Sequence, residues 1–145
     1  MSRIEGIGGV FLFSEDPGRL SDWYAEHLGL EFEFRMDSGT SGLTFQAVDP
    51  DGSGTPFPTV FSIMKANVPM PRRDGDPKPE SPYGDARVMI NLRTRDLDGV
   101  LARLAERGVK PTGREDGEYG SFSWIYDGDG NRVELWQPAD ELPEV

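Results

Sequence analysis

Glu134 is the residue whose type and spacing point most directly to chemistry. It lies in the run Arg132, Val133, Glu134, Leu135, Trp136. Successive strand side chains point to opposite faces, so Arg132, Glu134 and Trp136 share one face while Val133 and Leu135 share the other. An apolar face of that kind meets a helix. The opposite face then carries a carboxylate between a guanidinium and an indole, a set that could ligate a metal, move a proton or accept a hydrogen bond from a ligand. Its plainer reading is a carboxylate satisfied by a neighbour. Other reactive residues are few. His27 is the only histidine and there is no cysteine, so disulfides, thiolate metal sites and cysteine nucleophiles are excluded, and any histidine-based site needs His27. That residue sits at a helix end, where a surface histidine suits the negative end of the dipole. Asp127, Asp129 and Asn131 imitate the start of a calcium loop. The sixth position, however, is Arg132 instead of glycine and the twelfth is Pro138 instead of glutamate, so the turn reading stands.

The elements that must position Glu134 follow from its flanks. Residues 127–131 read DGDGN, which supplies the positive-φ tolerance and side-chain-to-backbone bonding of a tight turn. Residues 121–126 and 132–136, short and rich in aromatic and β-branched types, read as the strands it joins. Upstream, an apolar, glycine-rich strand is expected over 4–13 and a helix over 19–27. Leu20, Trp23, Tyr24 and Leu28 fall on one face of that helix, and Gly29 sits at its C-cap. Strands over 30–36, 43–48 and 59–64 follow, the last two separated by the DPDGSG turn of 49–54. Residues 65–85 are proline-rich and charged without periodicity, and so form a connector. From residue 86 the order returns: a strand through 94, a helix over 97–107 with Val100, Leu101 and Leu104 on one face, a terminating Gly108, then strands ending in the hairpin.

This is an internal repeat. The separations are 80 residues from Asp16 to Asp96, 79 from Gly29 to Gly108 and 78 from Asp49 to Asp127. The expected architecture is α+β: a first βαβββ module over 1–64, a connector over 65–85 and a second module over 86–145, together one structural domain. One helix per module covers only one sheet face, so two modules can curl their sheets around a shared ligand cavity.

Paired βαβββ modules with helix signals such as Asp16, Trp23, Tyr24, Leu28 and Gly29, closed by DGDGNRVELWQ, resemble the glyoxalase/bleomycin-resistance/dioxygenase superfamily, also called vicinal oxygen chelate proteins. The resemblance covers nearly the whole chain. It implies a cavity between concave sheets, often completed in a homodimer, and in many members a divalent metal held by His, Gln or Glu from four strands. The final-strand glutamate of that pattern matches Glu134. The first-strand ligand, seven residues before the aspartate, falls at Gly9, and its counterpart in the second module falls at Met89. The fourth-strand glutamate, placed by aligning Val60 with Val133, falls at Phe61. Glycine, phenylalanine and a thioether are poor partners for hard or borderline cations. No cofactor is therefore expected and a divalent metal is disfavoured, with Glu134 its ligand only if one is present.

The expected site has Glu134 as its polar or catalytic centre. Arg87, Asn91 and Arg132 are its candidate neighbours, Arg87 ahead of the others. Phe11, Phe13, Phe61, Met89 and Trp136, joined by Trp124 or Tyr126, form aromatic and apolar walls whose bland alternative is an ordinary filled core. A net charge of −11 repels nucleic acid and anionic membranes, leaving a small molecule or another protein as partner. The chain shows no signal-peptide pattern and no membrane-length apolar run, which fits a soluble, cytoplasmic protein. The function expected from the resemblance is metal-independent binding of a small molecule, with a homodimer as the assembly. The alternatives are a metal-dependent glyoxalase-type lyase or isomerase or extradiol-type dioxygenase, a non-catalytic drug-sequestering resistance protein, and a regulatory module without a pocket.

Overall fold

The computed structural model describes residues 7–47, 57–70 and 88–143. The chain divides into two compact units, Met1–Met70 and Pro71–Val145, with the boundary inside the expected connector. Residues 71–87, including Arg87, lie outside the described residues. Among the described residues no helix is long and apolar enough to cross a membrane.

The first unit runs β1 (Gly9–Ser14), α1 (Pro17–Leu28), β2 (Phe34–Arg35), β3 (Ser41–Ala47) and β4 (Phe57–Lys65). Its sheet has the order β1-β4-β3-β2, with β1 parallel to β4 and the other pairs antiparallel. The Asp16 carboxylate starts α1 by accepting from the Arg19 amide at 3.1 Å. Pro17 then opens the helix without losing a needed N–H, and Gly29 ends it at φ 70°, a conformation that costs glycine little. Leu20 and Tyr24 from α1 are buried with Leu43, Phe61 and Ile63. The Phe61 ring meets Tyr24 edge-on at a centroid distance of 5.4 Å. Ser21 and Ser41 share a hydroxyl hydrogen bond between helix and sheet, and Ser21 also donates to the Pro17 carbonyl, so a polar contact inside this core is fully satisfied.

The strand expected over 30–36 shrinks to Phe34 and Arg35. Leu30 still belongs to the helix end, donating its amide to the Tyr24 carbonyl. Further on, the Glu33 carboxylate accepts the Thr44 amide at 2.6 Å, so a side chain engages a backbone group that a ladder would otherwise pair. The other four strands of the first five expected overlap the observed ones, with ends shifted by one to five residues.

The second unit repeats the order: β5 (Ile90–Arg93), α2 (Leu97–Glu106), β6 (Gly113–Gly117), β7 (Gly120–Tyr126) and β8 (Arg132–Pro138). The sheet order is β5-β8-β7-β6, again with only the first pair parallel. The fold is thus α+β, with two βαβββ modules. Asp96 caps α2 by accepting from the Gly99 amide at 2.9 Å, and the Gln137 side chain accepts from the Leu97 amide at 2.8 Å. Leu97 and Leu104 are buried with Ile125, Val133 and Leu135, so the apolar face of β8 meets the helix as its alternation requires. In the closing turn both Asp127 oxygens are engaged. Oδ1 accepts from the Asp129 and Asn131 amides and Oδ2 from the Asn131 side chain, all at 2.9 Å. The calcium-loop resemblance is a self-bonded turn.

Candidate functional site

On the face of the second sheet opposite α2, side chains fall into cross-strand rows set by register. The middle row is Asn91, Glu134, Trp124 and Gly113, one residue from each of β5, β8, β7 and β6. Glu134 is 9% exposed and Trp124 3%. The carboxylate is held from both sides: Asn91 Nδ2 donates to Oε1 and Trp124 Nε1 donates to Oε2, each at 2.7 Å. Such short bonds to an ionised acceptor are the stronger kind. The indole lies over Gly113, where an added Cβ would make ordinary contact with the ring at 3.7 Å.

The rows on either side are built from aromatic rings. Arg132 stands opposite Tyr126, donates to its hydroxyl at 2.9 Å and to Thr112 Oγ1 at 3.1 Å, and lies 5.2 Å from the ring centroid. Trp136 stacks on Phe122 with centroids 6.0 Å apart and planes 9° from parallel, and its Nε1 donates to the Tyr119 carbonyl at 2.9 Å. Arg93 is the exposed strand neighbour of Trp136 on β5. Met89, half-buried, directly precedes β5.

The structure therefore brings Glu134, Asn91, Trp124, Arg132 and Trp136 onto one face. Of the three candidate neighbours, Asn91 bonds to Glu134, Arg132 bonds to Tyr126 and Thr112, and Arg87 lies outside the described residues; Trp124 is the second partner. Sequence reasoning had Trp124 as a wall and missed its N–H as a partner. The signal was available, because a hairpin closed by Tyr126 and Arg132 puts Trp124 opposite Glu134 by counting two residues back along each strand. Tyr126 shares the face as well, so both aromatic alternatives belong to it.

Phe61 does not face this way in its own module. It packs against Tyr24 of α1 at 2% exposure, and the expected wall residue is part of the helix-side core. The register explains why. Phe61 pairs with Val10 and Leu43, as Val133 pairs with Ile90 and Ile125, so Phe61 corresponds to Val133. Aligning Val60 with Val133 slipped the repeat by one residue, and a one-residue slip in a strand exchanges its faces. The true counterpart of Glu134 is Ser62, in the row Phe11, Ser62, Gly42, Phe34. The ring and the glycine trade places between modules. Phe34 covers Gly42, where an added Cβ would fall 2.6 Å from the ring, whereas Trp124 lies over Gly113. Phe11 and Phe13, on the face opposite α1, are 53% and 48% exposed.

The residues at the superfamily's ligand positions do not fit a divalent cation. Ser62 donates its hydroxyl to the Ser41 carbonyl at 2.9 Å, Gly9 has no side chain and Met89 offers a thioether, so Glu134 lacks companion ligands at those positions. Among the described residues no group of three or more His, Cys, Asp or Glu side chains is placed to hold a metal ion. Two neighbouring groups on β6 are held away from their ordinary titration ranges. The Arg114 guanidinium is held protonated above its ordinary range by Asp98 and then Asp116, and the Asp116 carboxyl is held below its ordinary range by Ser121 and then Arg114. Both groups are exposed, which marks a surface ion pair rather than a reactive centre.

Comparison with known proteins follows the architecture. A family model described as the Glyoxalase/Bleomycin resistance protein/Dioxygenase superfamily matches residues 6–135. No functionally curated protein matches the sequence significantly. Among solved structures, TioX from Micromonospora sp. ML1 has a TM-score of 0.62 at 16% identity, covering 93% of this chain and 100% of that one. TnmS3 from Streptomyces sp. CB03234, described as an antibiotic binding protein, has a TM-score of 0.62 at 22% identity over 96% of this chain and 100% of its own. A glyoxylase/bleomycin resistance protein/dioxygenase domain from Frankia sp. EAN1pec has a TM-score of 0.60 at 20% identity, covering 94% of this chain and 100% of that one. At these identities the likeness is one of fold.

Proposed function

Because the chain belongs to the Glyoxalase/Bleomycin resistance protein/Dioxygenase superfamily, we propose that it binds a small molecule on the face of the second sheet opposite α2, without a metal. The observation that carries this reading is the Glu134 carboxylate, nearly buried and oriented by Asn91 and Trp124, one row from the Phe122 and Trp136 stack. An ionised carboxylate offers about four lone-pair sites. Two are used here, so acceptor capacity is left beside an aromatic surface, a combination typical of small-molecule sites.

Retention of the ligand, rather than its turnover, is the form of the reading we favour. In its own row Glu134 has no second carboxylate, histidine or nucleophile beside it, since the other members are Asn91, Trp124 and Gly113. The likeness in fold to an antibiotic binding protein supports the same choice. A homodimer in the cytoplasm, with neither nucleic acid nor membrane as partner, completes the proposal; the net charge of −11 supports its last part. The test is a screen of aromatic fragments against 15N-labelled protein, following the indole N–H signals of Trp124 and Trp136. Binding fragments are expected to shift both. If every binder leaves both signals in place, the site lies elsewhere.

A further inference from the structure

Asn91 and Glu134 together determine which ligand chemistry the face selects. Asn91 Nδ2 is directed at Glu134 Oε1, so the amide oxygen Oδ1 is on the side turned away from the carboxylate, on a residue that is itself exposed. A ligand arriving over β5 meets that oxygen and the remaining lone pairs of the carboxylate. Both are acceptors. The donors in the neighbouring rows are directed inward: Arg132 toward Tyr126 and Thr112, and the Trp136 indole N–H toward the Tyr119 carbonyl. Arg93, exposed beside Trp136, is the donor that an anionic group would seek, and an anionic probe is therefore the discriminating control.

Resting on the small-molecule reading above, we infer that the site selects an aromatic ligand bearing an N–H donor group, an amine or a primary amide, and rejects a carboxylate in the same place. The indole or phenyl portion lies against Trp136 and Phe122, and the donor bridges Asn91 Oδ1 and Glu134. A carboxylate there would set a second negative charge against Glu134, with only the second Nδ2 hydrogen of Asn91 and exposed Arg93 to offset it.

Three probes with one ring and different tails test this: tryptamine, indole-3-acetamide and indole-3-acetate, each titrated into 15N-labelled protein. The first two are expected to shift the Trp124 indole and Asn91 side-chain signals, with indole-3-acetate at least about tenfold weaker. In Glu134→Gln the new side-chain amide faces two N–H donors with a single oxygen. Trp124 is buried and cannot turn, whereas exposed Asn91 can rotate, which brings Oδ1 inward and Nδ2 outward. The preference for amine over carboxylate should then shrink about tenfold or reverse. Asn91→Leu, at an exposed position, removes the amide oxygen and serves as the second variant, weakening indole-3-acetamide about threefold to tenfold. Indole-3-acetate binding as tightly as tryptamine to the parent protein overturns the inference and leaves the small-molecule reading intact. Silence of Trp124 and Trp136 toward all three probes overturns both. An unchanged preference in both variants overturns the assignment to Asn91 and Glu134.

Discussion

Replacing Trp124 by phenylalanine removes one hydrogen bond whose surroundings make its worth calculable. The donor and acceptor are 2.7 Å apart and are 3% and 9% exposed, so water does not readily replace the lost N–H. A bond to a charged acceptor contributes about 1.5–3 kcal/mol, and the smaller ring adds about 1 kcal/mol of lost burial. Trp124→Phe should therefore destabilise the protein by about 2.5–4 kcal/mol. Asn91→Leu removes a bond of the same length at an exposed position, where water substitutes, and should cost less than about 1 kcal/mol. Urea unfolding followed by far-UV circular dichroism measures both. Adding Glu134→Leu completes a double-mutant cycle with Trp124→Phe, in which the double variant should be less destabilised than the sum by about 1.5–3 kcal/mol. Additivity within about 0.5 kcal/mol would refute the claim that the indole N–H holds the carboxylate.

Two further outcomes check other parts of the account. Phe61→Ala should destabilise by about 3–5 kcal/mol, because it empties the space against Tyr24, whereas Phe11→Ala should stay within about 1 kcal/mol; equal costs in urea unfolding would restore Phe61 to an exposed face. The Asp116 carboxyl sits below its ordinary range, so its contribution is present above the unfolded-state pKa of about 4 and is lost as pH falls below it. Asp116→Asn should flatten the acid side of the melting-temperature profile slightly at low salt and not at high salt, since the pair is exposed.

The sequence made the repeat legible because its landmarks are local. Asp16 and Asp96 cap helices, Gly29 and Gly108 adopt φ 70° and 77°, and Asp127 closes a turn with its own side chain. Each works through neighbours only a few residues away. Face assignment held where alternation could be counted from the hairpin, as for Arg132, Glu134 and Trp136. It failed at Phe61, where the count passed between modules through a valine match. Composition could not expose that slip, since Val60 and Val133 look alike while their registers differ. The partners of Glu134 were harder to read because they depend on three strands at once. Charge put Arg87 ahead of Asn91 among the candidates, yet Asn91 is one of the two donors and the buried donor is an indole on the neighbouring strand.

The central claim is that Glu134 is a hydrogen-bond acceptor on a ligand-binding face and lacks the companion ligands to hold a metal. Titration of 15N-labelled protein with Mn2+ tests it most directly, because a paramagnetic ion bound at this carboxylate would erase the Trp124 indole signal at one equivalent. The account predicts that the signal persists at one equivalent of Mn2+, with broadening confined to the exposed acidic surface, and that it shifts with tryptamine. Loss of the Trp124 signal at stoichiometric Mn2+, restored by a chelator, would contradict it.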